Sequence, residues 1–141
     1  MFEVIPFKSA HFAAIQLQTA QMYLSEMVTQ EHIDVLERAP SYTALLDGKP
    51  IGAAGVIPIE TGRALAWSFI SHTGPKTFLK CHRAVKKFLD GCHVPRLEMT
   101  VDSEHTEAHR WAKMLGFTME EEHTTAHVPA GHDCALYARV L

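Results

Sequence analysis

His105 and His109 stand four residues apart, a separation that sets two imidazoles on one face of a helix where they can share a metal. Asp102 and Glu104 lie beside them, and His123, His127, His132 and Cys134 follow downstream. Zinc takes about four converging ligands at characteristic spacings. None of these spacings matches, so no metal is expected. Cys81, Cys92 and Cys134 cannot all pair within one chain, and none stands in a C-x-x-C motif. Reduced thiols in a cytoplasmic protein are the simple reading. Lys76, Lys80, Arg83, Lys86 and Lys87 fall largely on one side of a helical pattern, either a solvated face or a place for anions. Glu98 alternates with Leu97 and Met99, and so faces either a cleft or an exposed side of a sheet.

These side chains need a scaffold, and the chain's length bounds it. At 141 residues it sits within the ~100–200 expected of one domain, and no repeat, low-complexity tract or Pro/Gly/Ser linker divides it. A single domain over 1–141 is expected, large enough to bury a core without a disulfide or metal. Apolar residues make up 47% and charged residues 21%, which excludes disordered and collagen-like classes. Thirteen basic against sixteen acidic side chains give a formal charge of -3, so no nucleic-acid partner held by a broad basic surface is expected. No apolar run approaches the ~20 residues of a membrane span. The start, MFEVIPFKSAHF, lacks a signal-peptide pattern.

Hydrophobic periodicity places the elements. FEVIPF over 2–7 reads as a short strand, and Ser9 caps a helix with Phe12, Ile15, Leu17 and Met22 inward. A second helix follows Thr29, from Gln30 to Arg38, with Ile33, Leu36 and Val35 inward and Pro40 beyond its end. Tyr42–Leu46 and Ile51–Ile59 are strands about an Asp47-Gly48 hairpin turn. Two glycines and a proline in the second of these predict a bulge or a close backbone approach. After the turn at 60–63, Ala64–Ser71 is the most apolar strand. Pro75–Leu89 is helical, with Phe78, Leu79, Ala84, Val85, Phe88 and Leu89 inward and Gly91 as its C-cap. Arg96–Val101 is a strand, and residues 104–115 form a helix capped by Ser103 and ended by Gly116. Residues 117–123 and 135–140 are the last strands. Trp67 and Trp111 are expected in or near the core.

This order, β-α-α-β-β-β-α-β-α-β-β, together with two motifs, resembles the GCN5-related N-acetyltransferase (GNAT) superfamily. Members often carry a helix of the form N-x-x-A-x-x-L-Y-x-x-x-G-F after the fifth strand. Residues 105–117 read HTEAHRWAKMLGF, with Ala108, the apolar Trp111, Gly116 and Phe117 in register. In the second motif a strand runs into a Q/R-x-x-G-x-G/A loop, whose amides and helix dipole bind the pyrophosphate of acetyl-CoA. Here residues 71–78 read SHTGPKTF: Gly74 is kept, Lys76 replaces the second small residue, and Pro75 has no N–H to give. The wording around Trp67 and around RWAKMLGF is most similar to small phage-encoded acyltransferase-like proteins, including an internal virion protein of podophages.

The resemblance implies an α/β (α+β) fold of the GNAT acyl-CoA N-acyltransferase type, a mixed sheet of about six or seven strands with helices on both faces. It implies transfer of an acetyl or acyl group from acyl-CoA to a small-molecule or protein amine by direct attack. Acyl-CoA is the implied cosubstrate, with its carbonyl near the main chain of Phe69, Ile70 and Ser71 and its pyrophosphate at Gly74, Lys76, Thr77 and Phe78. The usual acid for the leaving thiolate is the motif tyrosine, and Ala112 occupies that position. His105 is the replacement considered, with His109, Ser103 and Tyr137 as further donors; Glu98, or Glu60, is the candidate base. Acceptor loops are expected at 20–40 and 124–133. The alternative is a non-catalytic phage virion or assembly protein that keeps the fold, with virion components or a second copy as partner.

Overall fold

The computed structural model describes residues 1–15, 29–124 and 134–141. Every expected element forms, in the expected order. Strand β1 is Phe2–Pro6 and helix α1 is Ser9–Ala14. Lys8, not Ser9, occupies the N-cap of α1; Leu17 and Met22 lie outside the described residues. Helix α2 is Gln30–Arg38, and the Thr29 hydroxyl accepts from the His32 amide at its start, satisfying one of the orphan donors of the first turn. Ile33 and Leu36 of α2 are buried, whereas Val35, expected inward, is exposed.

Strands β2 (Ser41–Leu46) and β3 (Lys49–Glu60) meet at Asp47 and Gly48, both with positive φ (52° and 80°), the geometry that matches a tight turn to the twist of its strands. Both devices expected of β3 are present. Its register shifts opposite Ala44/Leu45 and again between Pro58 and Glu60, and Gly55 lies against the backbone of Pro40 and Ser41. Strand β4 is Arg63–Ile70, and helix α3 is Pro75–Asp90. Gly91 ends α3 with φ −83°, so the left-handed freedom of glycine is not used there, and Leu79, expected inward, is exposed. Strand β5 is Arg96–Asp102. Helix α4 is Thr106–Met114, with His105 rather than Ser103 at its N-cap, and Gly116 beyond it has φ +95°, the left-handed stop that the sequence calls for. Strands β6 (Thr118–Thr124) and β7 (Cys134–Val140) close the chain.

Among the described residues seven strands form one mixed sheet, in the order β1-β2-β3-β4-β5-β7-β6. Neighbours are antiparallel except β4 and β5. Alternation along β4 splits the interior into two layers. Ala64, Ala66 and Ile70 face α3 and α4, in a core with Leu89, Leu97, Val101, Trp111 and Tyr137. Trp67 and Phe69 face the other way, toward α1 and α2, with Phe7, Phe12, Ile15, Ile33 and Leu36. Helices of six and nine residues are unstable alone. Burial of these side chains, ~1.5–3 kcal/mol for each large one, holds α1 and α2 in place. No helix among the described residues is long and apolar enough to cross a membrane.

Candidate active site: a split between two parallel strands

β4 and β5 pair only over Arg63↔Arg96, Ala64↔Leu97 and Leu65↔Glu98. Beyond that point β4 stays bonded to β3 as far as Ile70, and β5 stays bonded to β7 as far as Asp102. Each strand therefore follows its outer neighbour, and a V opens between them.

Alternation decides which main-chain groups face the V. The Ser71 amide donates to the Ile51 carbonyl at 2.8 Å. Counting back along the antiparallel ladder, Phe69, Trp67 and Leu65 also turn their backbone groups to β3, and Ile70, Ser68 and Ala66 turn theirs toward β5. Of the expected trio, Ile70 turns its main-chain groups toward the split. Phe69 and Ser71 are committed to the sheet, and Ser68 was missed. The period was legible in the sequence, but the register that sets its phase was not.

The apex of the V is tied by charge. Glu98 is buried, and its Oε1 accepts from Arg63 Nε and Nη2 at 2.9 and 2.7 Å while its Oε2 accepts from Arg96 Nε at 2.7 Å. Arg96 reaches on to Glu120 of β6. The Arg63 hydrogen bonds hold the Glu98 carboxyl below the usual carboxylate range; burial opposes this and Arg96 reinforces it. A carboxylate so held is a poor proton acceptor, and Glu98 does not line the cleft. Here Glu98, expected as a candidate base, ties Arg63 of β4 to Arg96 of β5. Glu60, the other carboxylate considered, is an exposed partner of Arg63.

At the open end the V widens into a cleft of about 750 Å³ between β4, the start of α3 and the first turns of α4. Gly74 is the N-cap of α3, and a Cβ added there would meet nothing within 4 Å. Pro75 follows at the first helical position, where its missing N–H is no loss to the helix. The Phe78 amide is already taken by the Gly74 carbonyl at 2.9 Å, which removes it from the expected anion donors. The amides of Lys76 and Thr77 stand at positions that lack a helical acceptor, though neither residue lines the cleft wall. Gly74, Ile70 and the Phe78 ring do.

From α4 the cleft receives His105, Glu107, Arg110 and Trp111, and from the loop after β4 it receives His72. His105 was expected. His72, Glu107 and Arg110 were missed, although the spacing 107, 110, 111, 114 would have grouped four residues of α4 on one face. His109 belongs elsewhere. Its Nε2 lies 3.1 Å from the Ser103 carbonyl, which can only accept, so Nδ1 accepts the Tyr137 hydroxyl at 2.7 Å. Both ring nitrogens are used, and no group of three His, Cys, Asp or Glu among the described residues could hold a metal. His127 and His132 lie outside the described residues, as do 20–28 and 125–133 of the expected acceptor loops.

Ala112, at the position of the motif tyrosine, is wholly buried. Tyr137 is equally buried, and burial pushes its phenol pKa up. Trp111 donates from Nε1 to His82 Nδ1 at 3.0 Å and meets the Phe78 ring edge-on at 5.3 Å, which fixes the wall between α3 and α4. Burial raises the thiol pKa values of Cys81 and Cys92, so neither is a ready nucleophile.

The backbone is similar along nearly its whole length to solved acetyltransferases. Ard1 from Thermoplasma volcanium superposes with a TM-score of 0.77 at 15% identity, over 99% of this chain and 97% of that one. An N-acetyltransferase from Staphylococcus aureus Mu50 gives 0.72 at 13% identity, over 99% and 97%. A Salmonella typhimurium protein described as an acetyltransferase, solved with its cofactor acetyl-CoA, gives 0.71 at 14%, over 99% and 94%. No family model matches the sequence, and no curated protein matches it. At such identities the likeness establishes the architecture: the chain has the GNAT acyl-CoA N-acyltransferase fold.

Proposed function

We propose that the chain is an N-acyltransferase that takes an acyl group from acyl-CoA and passes it directly to an amine. The single observation that carries this is the V: two parallel strands that part after Leu65 and Glu98 and open on a helix N-terminus. The residues present fit a nucleotide-bearing thioester. Space at Gly74 admits a pyrophosphate, the Lys76 and Thr77 amides and the helix dipole favour its charge, and Arg110 on the cleft wall and Lys76 just outside it add positive side chains. The pantetheine arm passes Ile70 and brings the thioester to Ser68. The bound thioester supplies an electrophilic carbonyl; an amine attacks it, the C–S bond breaks, His105 on the cleft wall protonates the departing thiolate, and the proton shed by the amine nitrogen passes to solvent. Direct attack needs no thiol, and among the described residues no cysteine lines the cleft. Isothermal titration with acetyl-CoA tests the reading, with Lys76→Glu expected to weaken binding. No heat at millimolar ligand removes it.

A second reading has its own support. Ala112 is enclosed where the related motif has tyrosine, and Glu98 is locked between two arginines. A fold-retaining protein without turnover, such as the phage virion component that the sequence wording suggests, would have these features. Acyl-CoA-dependent acylation of any member of an amine panel, abolished by His105→Ala, decides for the enzyme.

A further inference from the structure

A second cavity, of about 720 Å³, lies under α3 against the β2–β4 part of the sheet, and the transfer reaction above makes no use of it. The register builds its floor. Tyr42, Ala54 and Ser68 form one cross-strand row and Ala44, Gly52 and Ile70 the next, all on the face that α3 covers. Four of these six residues are Ala, Gly or Ser, so the helix cannot settle fully onto the sheet. Cys81, Ala84, Val85 and Phe88 form the roof. The volume falls within the ~300–1,000 Å³ of ligand pockets. Its lining is mostly apolar, so an apolar occupant would take that surface out of water.

Ser68, Ile70 and Trp111 wall both this cavity and the cleft at the start of α3. We infer that the cavity receives the aliphatic chain of an acyl thioester longer than acetyl, while the rest of the thioester lies in the cleft. The inference rests on the function proposed above and names its substrate class. A straight hydrocarbon chain asks for no hydrogen bonds, fits a floor of small side chains, and leaves a thioester seated beside Ser68 and Ile70 across their shared wall. Trp111, held by His82 and Phe78, stands at the boundary that the two spaces share.

The test is titration of the full chain with acetyl-CoA, octanoyl-CoA and free octanoate. Octanoyl-CoA is expected to bind at least about tenfold tighter than acetyl-CoA, because six further methylenes leave water. Ala54→Phe, which fills the floor, should abolish that preference and leave acetyl-CoA affinity unchanged within about twofold. Equal affinities in the unsubstituted chain overturn the inference and leave the acyltransferase reading standing. Absence of binding by either thioester overturns both. Octanoate bound as tightly as octanoyl-CoA makes the cavity an independent site and overturns the link to the cleft. Should Ala54→Phe fail to fold, Ala84→Leu fills the space from the roof and makes the same comparison.

Discussion

At the residue scale, Glu98 shows how a side chain with a catalyst's chemistry can be spent on architecture. Arg63 and Arg96 are register partners on adjacent parallel strands, so without the carboxylate two guanidinium groups face one another. Glu98→Gln should cost on the order of 2 kcal/mol in urea unfolding, below the ~3–5 of a fully buried pair because both arginines remain about a third exposed. The lowered carboxyl pKa sets the sign of the pH effect. The tie contributes in full above the ordinary carboxylate value of 4.5 and is lost as pH falls through the lower folded value. Stability of the unsubstituted chain should therefore drop below that pH more steeply than that of Glu98→Gln; equal acid slopes would place the acid sensitivity elsewhere. Gly74 gives the converse case. With ordinary φ and open space around it, Gly74→Val should leave unfolding unchanged within ~0.5 kcal/mol yet weaken acetyl-CoA binding severalfold, as titration would show.

At the scale of elements, strand β3 determines how close its neighbours come. A Cβ on Gly55 would lie 2.5 Å from the Pro40 carbonyl oxygen, which also accepts the Val56 amide at 3.0 Å, so neither backbone can move aside freely. Gly55→Ala should destabilise by at least about 1–3 kcal/mol in thermal unfolding, the range for overpacked sites. Helix α4 was legible in outline because its stop requires left-handed backbone at Gly116 and its inward residues recur at helical spacing. Its division of labour was not. His105 and His109 are equivalent by spacing, yet one lines the cleft and the other is held by Tyr137 and Ser103, partners distant or unremarkable in sequence.

For the whole molecule, the decisive arrangement is a sheet whose two halves share only a short parallel seam. Arg139 of β7 braces one half from behind, pairing with Asp90 at the end of α3 and lying beside Gly116 at the end of α4. A cation there also suits the negative ends of both helices. Arg139→Met should lower the melting temperature and speed amide exchange in the last turns of α3 and α4 together. Exchange that rises in one helix alone would show that Arg139 does not couple them.

Local chemistry in the sequence determined the elements and their order, because turns, caps and hydrophobic period act over a few residues. Asp47-Gly48, Thr29, Pro75 and Gly116 each work within their own segment. Val35 and Leu79 show the limit of that reasoning, since an apolar side chain turns inward only where a neighbouring element covers it. Only the tertiary structure decided the phase of β4, the ionic partners of Glu98 and the cavity under α3. Each depends on register between strands far apart in the chain, and a shift of one residue exchanges every group that faces the split with one that faces the sheet.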